Sequence, residues 1–161
     1  MPKCTILIGL PASGKSTWLD QNYETFSDCV QFLSTDGVIE DIAGRYGLFY
    51  DEAFKDLIGF AEKVMWRETI FFAERNYELY IDRTNLTIKS RAKFINMLKP
   101  YGYTFDAIVF ETPEKEEWDR RLNSRRGKTI PAEILASMVA GYQAPLLSEG
   151  FEKITFIKNS D

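Results

Sequence analysis

The sequence predicts an α/β fold, a five-stranded parallel sheet with helices packed on both faces. Three observations lead there. Short apolar runs alternate along the chain with longer stretches of helical periodicity. The length of 161 residues suits one domain, and a hydrophobic content of 45% suffices for a single core. A glycine-rich run, Gly9-Leu10-Pro11-Ala12-Ser13-Gly14-Lys15-Ser16, falls between the first apolar run and the first helical stretch. In a parallel sheet, that junction is where ligands collect.

Each element has its own signal. Thr5 to Ile8 is a buried strand, and the stretch Ser16 to Asp20 opens a helix. Cys29 to Leu33 is the second strand, followed by a turn at Ser34-Thr35-Asp36-Gly37. From Asp51 to Asn76, Phe54, Leu57, Ile58, Ala61, Met65 and Phe72 recur at helical spacing. Leu79 to Ile81 is a third strand that ends at Asp82. Thr87 caps a helix reaching Leu98, with Pro100 just beyond it. Phe105 to Phe110 is the fourth strand, and Thr112 to Asn123 a helix with Pro113 in its first turn. Pro131 opens a helix to about Tyr142, and Lys153 to Ile157 is the fifth strand. No repeat or linker interrupts the chain, so residues 1–161 are expected to form one domain with a lid over about 113–142.

The glycine-rich run matches the P-loop pattern G-x-x-x-x-G-K-[ST] at every fixed position. Flanked by a strand and a helix, it predicts a P-loop NTPase three-layer sandwich that binds ATP with Mg²⁺. Gly9, Pro11, Ala12, Ser13, Gly14, Lys15, Ser16 and Thr17 form the expected phosphate cradle. Lys15 reaches the β- and γ-phosphates, and the Ser16 hydroxyl binds the metal. Asp82, at the end of a hydrophobic strand, is placed like the carboxylate that helps hold Mg²⁺ in such proteins. Thr84 and Asn85 shape the loop that follows.

Asp36 stands three residues past the second strand. It is either a turn or cap aspartate or the general base for an acceptor hydroxyl. The chain contains no histidine to compete for the second role. Arg120, Arg121, Arg125, Arg126 and Lys128 straddle a helix end, Gly127 and Pro131, a composition suited to a lid. Arg126 and Arg121 are the arginines expected on the transferring phosphoryl group. Arg120 and Arg121 are adjacent, so at most one of them faces the phosphates.

Composition narrows the remaining classes. The net charge of −4 lacks the global basic field of many nucleic-acid binders, although a local basic patch remains compatible with it. No apolar run approaches the roughly 20 residues of a membrane span. The N-terminal residues lack the apolar stretch of a signal peptide, and a cytoplasmic location is expected. Cys4 and Cys29 are expected to be small buried hydrophobes rather than a disulfide. Tyr46, Phe49, Tyr50 and Trp66 are either core residues or stacking platforms for nucleobases, with Tyr46 and Tyr50 flanking the turn at Gly47.

Taken in order, GLPASGKSTW, Ser34-Thr35-Asp36, Asp82-Arg83-Thr84-Asn85-Leu86 and Arg125 to Pro131 resemble the kinase domain of phage-type polynucleotide kinases. The resemblance spans most of the chain. It implies an adenylate-kinase-like sheet, ATP with Mg²⁺, phosphoryl transfer to a polynucleotide 5′-hydroxyl, and a phage origin with function in the host cytoplasm. It also implies Asp36 as base and Arg126 as a lid arginine on the phosphates. Two departures stand out. The resemblance calls for an arginine one helical turn after the base, to hold a 3′-phosphate of the acceptor. Here that stretch reads Gly37-Val38-Ile39-Glu40. The aspartates of a D-x-D-x-[TV] phosphatase motif are also missing. A small hydroxyl acceptor, such as a nucleoside, nucleotide or other metabolite, therefore stays beside the polynucleotide end as an alternative. An ATP-binding module without transfer activity is the third reading.

Overall fold

A computed structural model describes residues 1–158; the last three residues of the expected domain, 159–161, lie outside the described residues. Five strands are present: β1 (Lys3–Ile8), β2 (Val30–Leu33), β3 (Glu78–Ile81), β4 (Thr104–Phe110) and β5 (Phe151–Ile157). All pair in parallel, in the order β2-β3-β1-β4-β5. Parallel neighbours need crossover connections. Six α-helices are described: α1 (Lys15–Asn22), α2 (Thr35–Arg45), α3 (Tyr50–Ala73), α4 (Ile88–Leu98), α5 (Lys115–Asn123) and α6 (Ala132–Gly141). The expected α/β P-loop fold is therefore observed. Among the described residues, no helix is long and apolar enough to cross a membrane.

The central strand explains the core. β1 is flanked by β3 and β4, so Cys4, Ile6, Leu7 and Ile8 are fully buried and the strand reads as a continuous apolar run. Leu79, Ile81, Phe105, Ala107 and Val109 extend this layer, and Met65, Phe94, Ile95 and Leu98 cover it from the helices. Across from them, Trp18, Phe26, Phe32, Tyr80 and Phe110 meet ring to ring. The chain changes sides at β1, so the crevice at its carboxyl end is the natural ligand site.

Several local expectations are corrected. Ser34 to Gly37 is not a turn but the start of α2, with the Ser34 hydroxyl accepting from Gly37 N at 3.1 Å. The cap converts an apparent loop into an N-terminus, and Ile39 and Ala43 then bury one face of the helix. On α3 the buried stripe is Ala53, Ala61, Met65, Thr69 and Ala73, while Phe54 is exposed. Small residues let this long helix lie close to its neighbours. Cys29 is exposed, since it precedes β2 rather than lying inside it; Cys4 is buried, and both are free thiols. Pro113 precedes α5, which begins at Lys115. Thr87 caps α4 as expected, accepting from Ser90 N at 3.1 Å.

Candidate active site

The P-loop joins β1 to α1. Gly14 is the N-cap of α1 with φ of 100°, a left-handed conformation that a side chain would strain. Ala12 takes φ of 60° without being glycine, so the loop holds a locally unfavourable turn. Two flanking contacts brace it. Gly9 N donates to the Thr84 carbonyl at 3.1 Å. The Trp118 indole Nε1 donates to the Pro11 carbonyl at 2.8 Å, tying α5 to the loop. Trp118 carried no signal in the sequence, where it is one aromatic on a charged helix.

Lys15 is buried in this loop. Its Nζ donates to the Gly9 carbonyl at 2.7 Å, the Leu10 carbonyl at 3.0 Å and Ser13 Oγ at 3.4 Å. Burial pushes the ammonium down to about 8; Asp82 and Asp36 act against this, while Arg125 and Lys128 push further down. Asp82 mirrors it. Burial raises its carboxyl, and the Lys15 ammonium pulls it back. Lys15, Asp82 and Asp36 thus share one electrostatic neighbourhood, although Lys15 and Asp82 stand 67 positions apart in the chain.

The loop after β3 places Asp82. Its backbone N donates to the Leu33 carbonyl at 2.8 Å, next to the start of α2. Asn85, at φ of 49°, turns its amide inward to the carbonyls of Leu7 (2.7 Å), Arg83 (3.2 Å) and Ile81 (3.3 Å). Thr84 and Asn85 therefore shape the loop. Beneath it lies an ion pair that sequence reasoning did not find. The wholly buried Arg91 donates to both carboxylate oxygens of Glu149, at 2.8 and 3.0 Å, and to the Asn85 carbonyl at 2.9 Å. Its partner lies 58 residues away, so nothing local betrays it.

Asp36 sits in the first turn of α2, half exposed, with both oxygens engaged. The Tyr50 hydroxyl donates to Oδ1 at 2.7 Å. Lys128 Nζ lies 3.2 Å from Oδ2 and 2.7 Å from Glu40 Oε1, over the Tyr50 ring at 4.6 Å. Burial and this bond to Asp36 raise the Tyr50 hydroxyl well above its ordinary pKa, so it remains a donor. Tyr50 is thus half-buried against Asp36, while Tyr46 is exposed. Trp66 stacks on Phe94 at 4.6 Å.

The lid segment packs on the N-terminus of α3. Asp51 N donates to the Gly127 carbonyl at 2.8 Å, and Thr129 N donates back to the Asp51 carboxylate at 2.8 and 2.9 Å. Gly127 has φ of 71°, and a Cβ there would fall 2.5 Å from the Phe49 ring. The two arginines just before this turn have different surroundings. Arg126 is exposed, its guanidinium 5.4 Å from the Phe49 ring centre. Arg125 appears among the principal electrostatic neighbours of Lys15, and its buried Nη1 has no hydrogen-bond partner among the described residues. Arg120 and Arg121 both bind Glu117, which lies three and four residues before them on α5. The sequence points to Arg126 and Arg121; the arginine whose charge acts on Lys15 is Arg125.

Around the loop, Ser16 is exposed in the first turn of α1, and Asp82, just past β3, feels the Lys15 charge. A hydroxyl and a carboxylate are hard oxygen donors of the kind that bind Mg²⁺ together with substrate phosphates, so these residues fit the ion. On the other side, an apolar cleft of about 230 Å³ opens between Gly9, Leu10, Phe110, Tyr142 and Phe156. The turn after Asp36 offers no arginine: Ile39 is fully buried, Glu40 is exposed, and Arg45 pairs with Asp41 at 2.9 Å. Arg83 is paired with Glu62 at 3.1 Å. The cation nearest this turn is Lys128, from the lid.

Fold and site together define a P-loop kinase domain. The chain belongs to the AAA domain family AAA_33, which it matches over residues 5–145. The chain is similar to one from the PezAT toxin–antitoxin system of Streptococcus pneumoniae with a TM-score of 0.71, at 17% identity, covering 98% of this chain and 67% of that one. A sugar kinase from Janibacter gives 0.62 at 19% identity, covering 98% and 86%. These two likenesses concern the fold alone. A chain of the Pnkp1/Rnl/Hen1 RNA repair complex gives 0.61 at 25% identity over 87% of this chain, which spans only 43% of that longer protein.

Proposed function

We propose that this domain transfers the γ-phosphate of ATP to the 5′-hydroxyl of a polynucleotide, with Asp36 as the general base. The observation that carries the reading is the shared electrostatic neighbourhood of Lys15, Asp82 and Asp36 at the P-loop, with the lid residue Lys128 3.2 Å from Asp36 Oδ2. The ordered motifs and the 25% likeness to a chain of an RNA repair complex support the polynucleotide acceptor.

The P-loop amides and Lys15 hold the triphosphate. Ser16 and Asp82 would hold Mg²⁺, which, when bound, offsets charge on the β- and γ-phosphate oxygens. The cleft beside Gly9 suits the donor base. The acceptor hydroxyl lies against Asp36, whose oxygens retain lone pairs beyond the bonds from Tyr50 and Lys128. A bond forms from the acceptor oxygen to the γ-phosphorus as the bond to the β,γ-bridging oxygen breaks. ADP departs, and the hydroxyl proton passes to Asp36 and then to solvent. In this reading Arg125 rather than Arg126 or Arg121 is the lid guanidinium that meets charge on the transferring group, supported by its charge acting on Lys15 and its unpartnered buried Nη1.

A specific observation favours a second reading. One turn after the base, Ile39 is core and Glu40 is anionic, so α2 itself repels a phosphate there. A small uncharged hydroxyl compound suits that surface better. The test uses γ-labelled ATP with Mg²⁺ and, as acceptors, a 5′-hydroxyl oligonucleotide and a panel of nucleosides, 3′-nucleotides and sugars. Label on the oligonucleotide, abolished by Lys15→Ala and reduced at least about 100-fold by Asp36→Asn with ATP binding retained, supports the first reading. Label confined to small acceptors transfers the domain to the second. Near-normal turnover of Asp36→Asn removes Asp36 as base.

A further inference from the structure

Tyr50 is more than a packing residue. It opens α3, fourteen residues beyond Asp36, and its hydroxyl reaches across to Asp36 Oδ1 at 2.7 Å. The aspartate side chain is half exposed, so solvent alone would leave it free to rotate between rotamers. Tyr50 removes that freedom. Its own ring is fixed against Phe54 at 5.5 Å and beneath the Lys128 ammonium at 4.6 Å. The Lys128 ammonium in turn draws Oδ2 from the opposite side and is held by Glu40 at 2.7 Å. One carboxylate is therefore gripped at both oxygens by groups from two other elements, α3 and the lid.

We infer that Tyr50 is a positioning residue for phosphoryl transfer: it fixes the Asp36 carboxylate so that one oxygen faces the acceptor hydroxyl, and Lys128 completes the clamp when the lid is down. The inference rests on Asp36 being the base. A base held in line is effective because the reacting atoms need a narrow range of distance and angle, and a carboxylate that rotates spends most of its time outside it. The chemistry selects tyrosine over phenylalanine for its hydroxyl alone. Exposed Tyr46, close in sequence, makes no comparable bond among the described residues.

The experiment compares the intact protein with Tyr50→Phe, Asp36→Ala and the double variant. The substrates are labelled ATP and whichever acceptor of the oligonucleotide, nucleoside and sugar panel the unaltered protein phosphorylates best. Tyr50→Phe keeps the ring and its contacts, and thermal unfolding checks that it folds. The expected result is a fall of about 10-fold in kcat with the KM for ATP unchanged, a fall of at least about 100-fold for Asp36→Ala, and no further fall in the double variant. A kcat within twofold of normal for Tyr50→Phe, with Asp36→Ala inactive, overturns the positioning role and leaves the base standing. Equal losses from Tyr50→Phe with and without Asp36 overturn it too, because a structural role acts regardless of the base. A rise in the KM for ATP as large as the fall in kcat does the same. Normal turnover by Asp36→Ala, or transfer to no acceptor by the unaltered protein, overturns the underlying reading and the inference with it.

Discussion

Replacing Glu149 by alanine should destabilise this protein severely, because it strands a guanidinium with no access to water. Arg91 has a side-chain exposure of 0%, and Glu149 one of 7%. Two charge-assisted hydrogen bonds, at 2.8 and 3.0 Å, join them, and only the bond to the Asn85 carbonyl would remain of those recorded for Arg91. Breaking a buried pair from one side costs about 3–5 kcal/mol, since the surviving charge is uncompensated. For a domain of this size each kcal/mol lowers Tm by about 2–4 °C, so a fall of roughly 6–20 °C is expected. Replacing both partners, Arg91→Met with Glu149→Leu, should cost far less. No charge is then left buried, and the loss is about 1–2 kcal/mol from the Asn85 carbonyl. Thermal and urea unfolding of the single and double variants measure both quantities. A fall below about 3 °C for Glu149→Ala, or a double variant less stable than that single one, would refute the reasoning.

Two further outcomes follow from the site. Gly127→Ala forces a side chain into a φ of 71° and against Phe49 at 2.5 Å, so the lid should lift from α3. Transfer should fall by about 10-fold or more while overall stability drops by only about 1–3 kcal/mol, read by kinetics and unfolding on the same sample. Lys15 titrates near 8 in this protein, below its ordinary value, because burial disfavours the ammonium. Folding therefore carries a penalty at low pH that is relieved as pH rises through about 8 towards 10.5, so stability without nucleotide should rise across that window. Affinity for ATP should decline over the same range as the ammonium is lost. Lys15→Met should abolish both trends, and a flat profile in the unaltered protein would contradict them.

Much of the fold was legible because its signals are local. The alternation of strands and helices, the P-loop at a strand–helix junction and the Thr87 cap all depend on residues a few positions apart. Ser34-Thr35-Asp36-Gly37 has turn composition; only the burial of Ile39 and Ala43 shows why this stretch instead starts α2. The α3 stripe held at Ala61 and Met65, with Leu57, Ile58 and Phe72 packed against the core, and failed at Phe54, which is exposed while Ala53 beside it is buried.

The candidate site divides along the same line. Lys15, Ser16, Asp36 and Asp82 stand out in the sequence, because phosphate and proton chemistry demands those residue types at strand ends. Which residues surround them does not. Tyr50 on Asp36, Trp118 on Pro11 and Arg91 on Glu149 each join positions separated by 14 to 107 residues. At the lid, Gly127 takes a left-handed turn against Phe49, and the Arg126 guanidinium lies 5.4 Å from the same ring. Sequence alone determined the parallel sheet and the phosphate loop and singled out the candidate reactive groups, since these follow from periodicity and from short fixed spacings. Tertiary structure decided which arginine's charge acts on Lys15 and what grips Asp36, because side-chain direction is set by packing between elements distant along the chain.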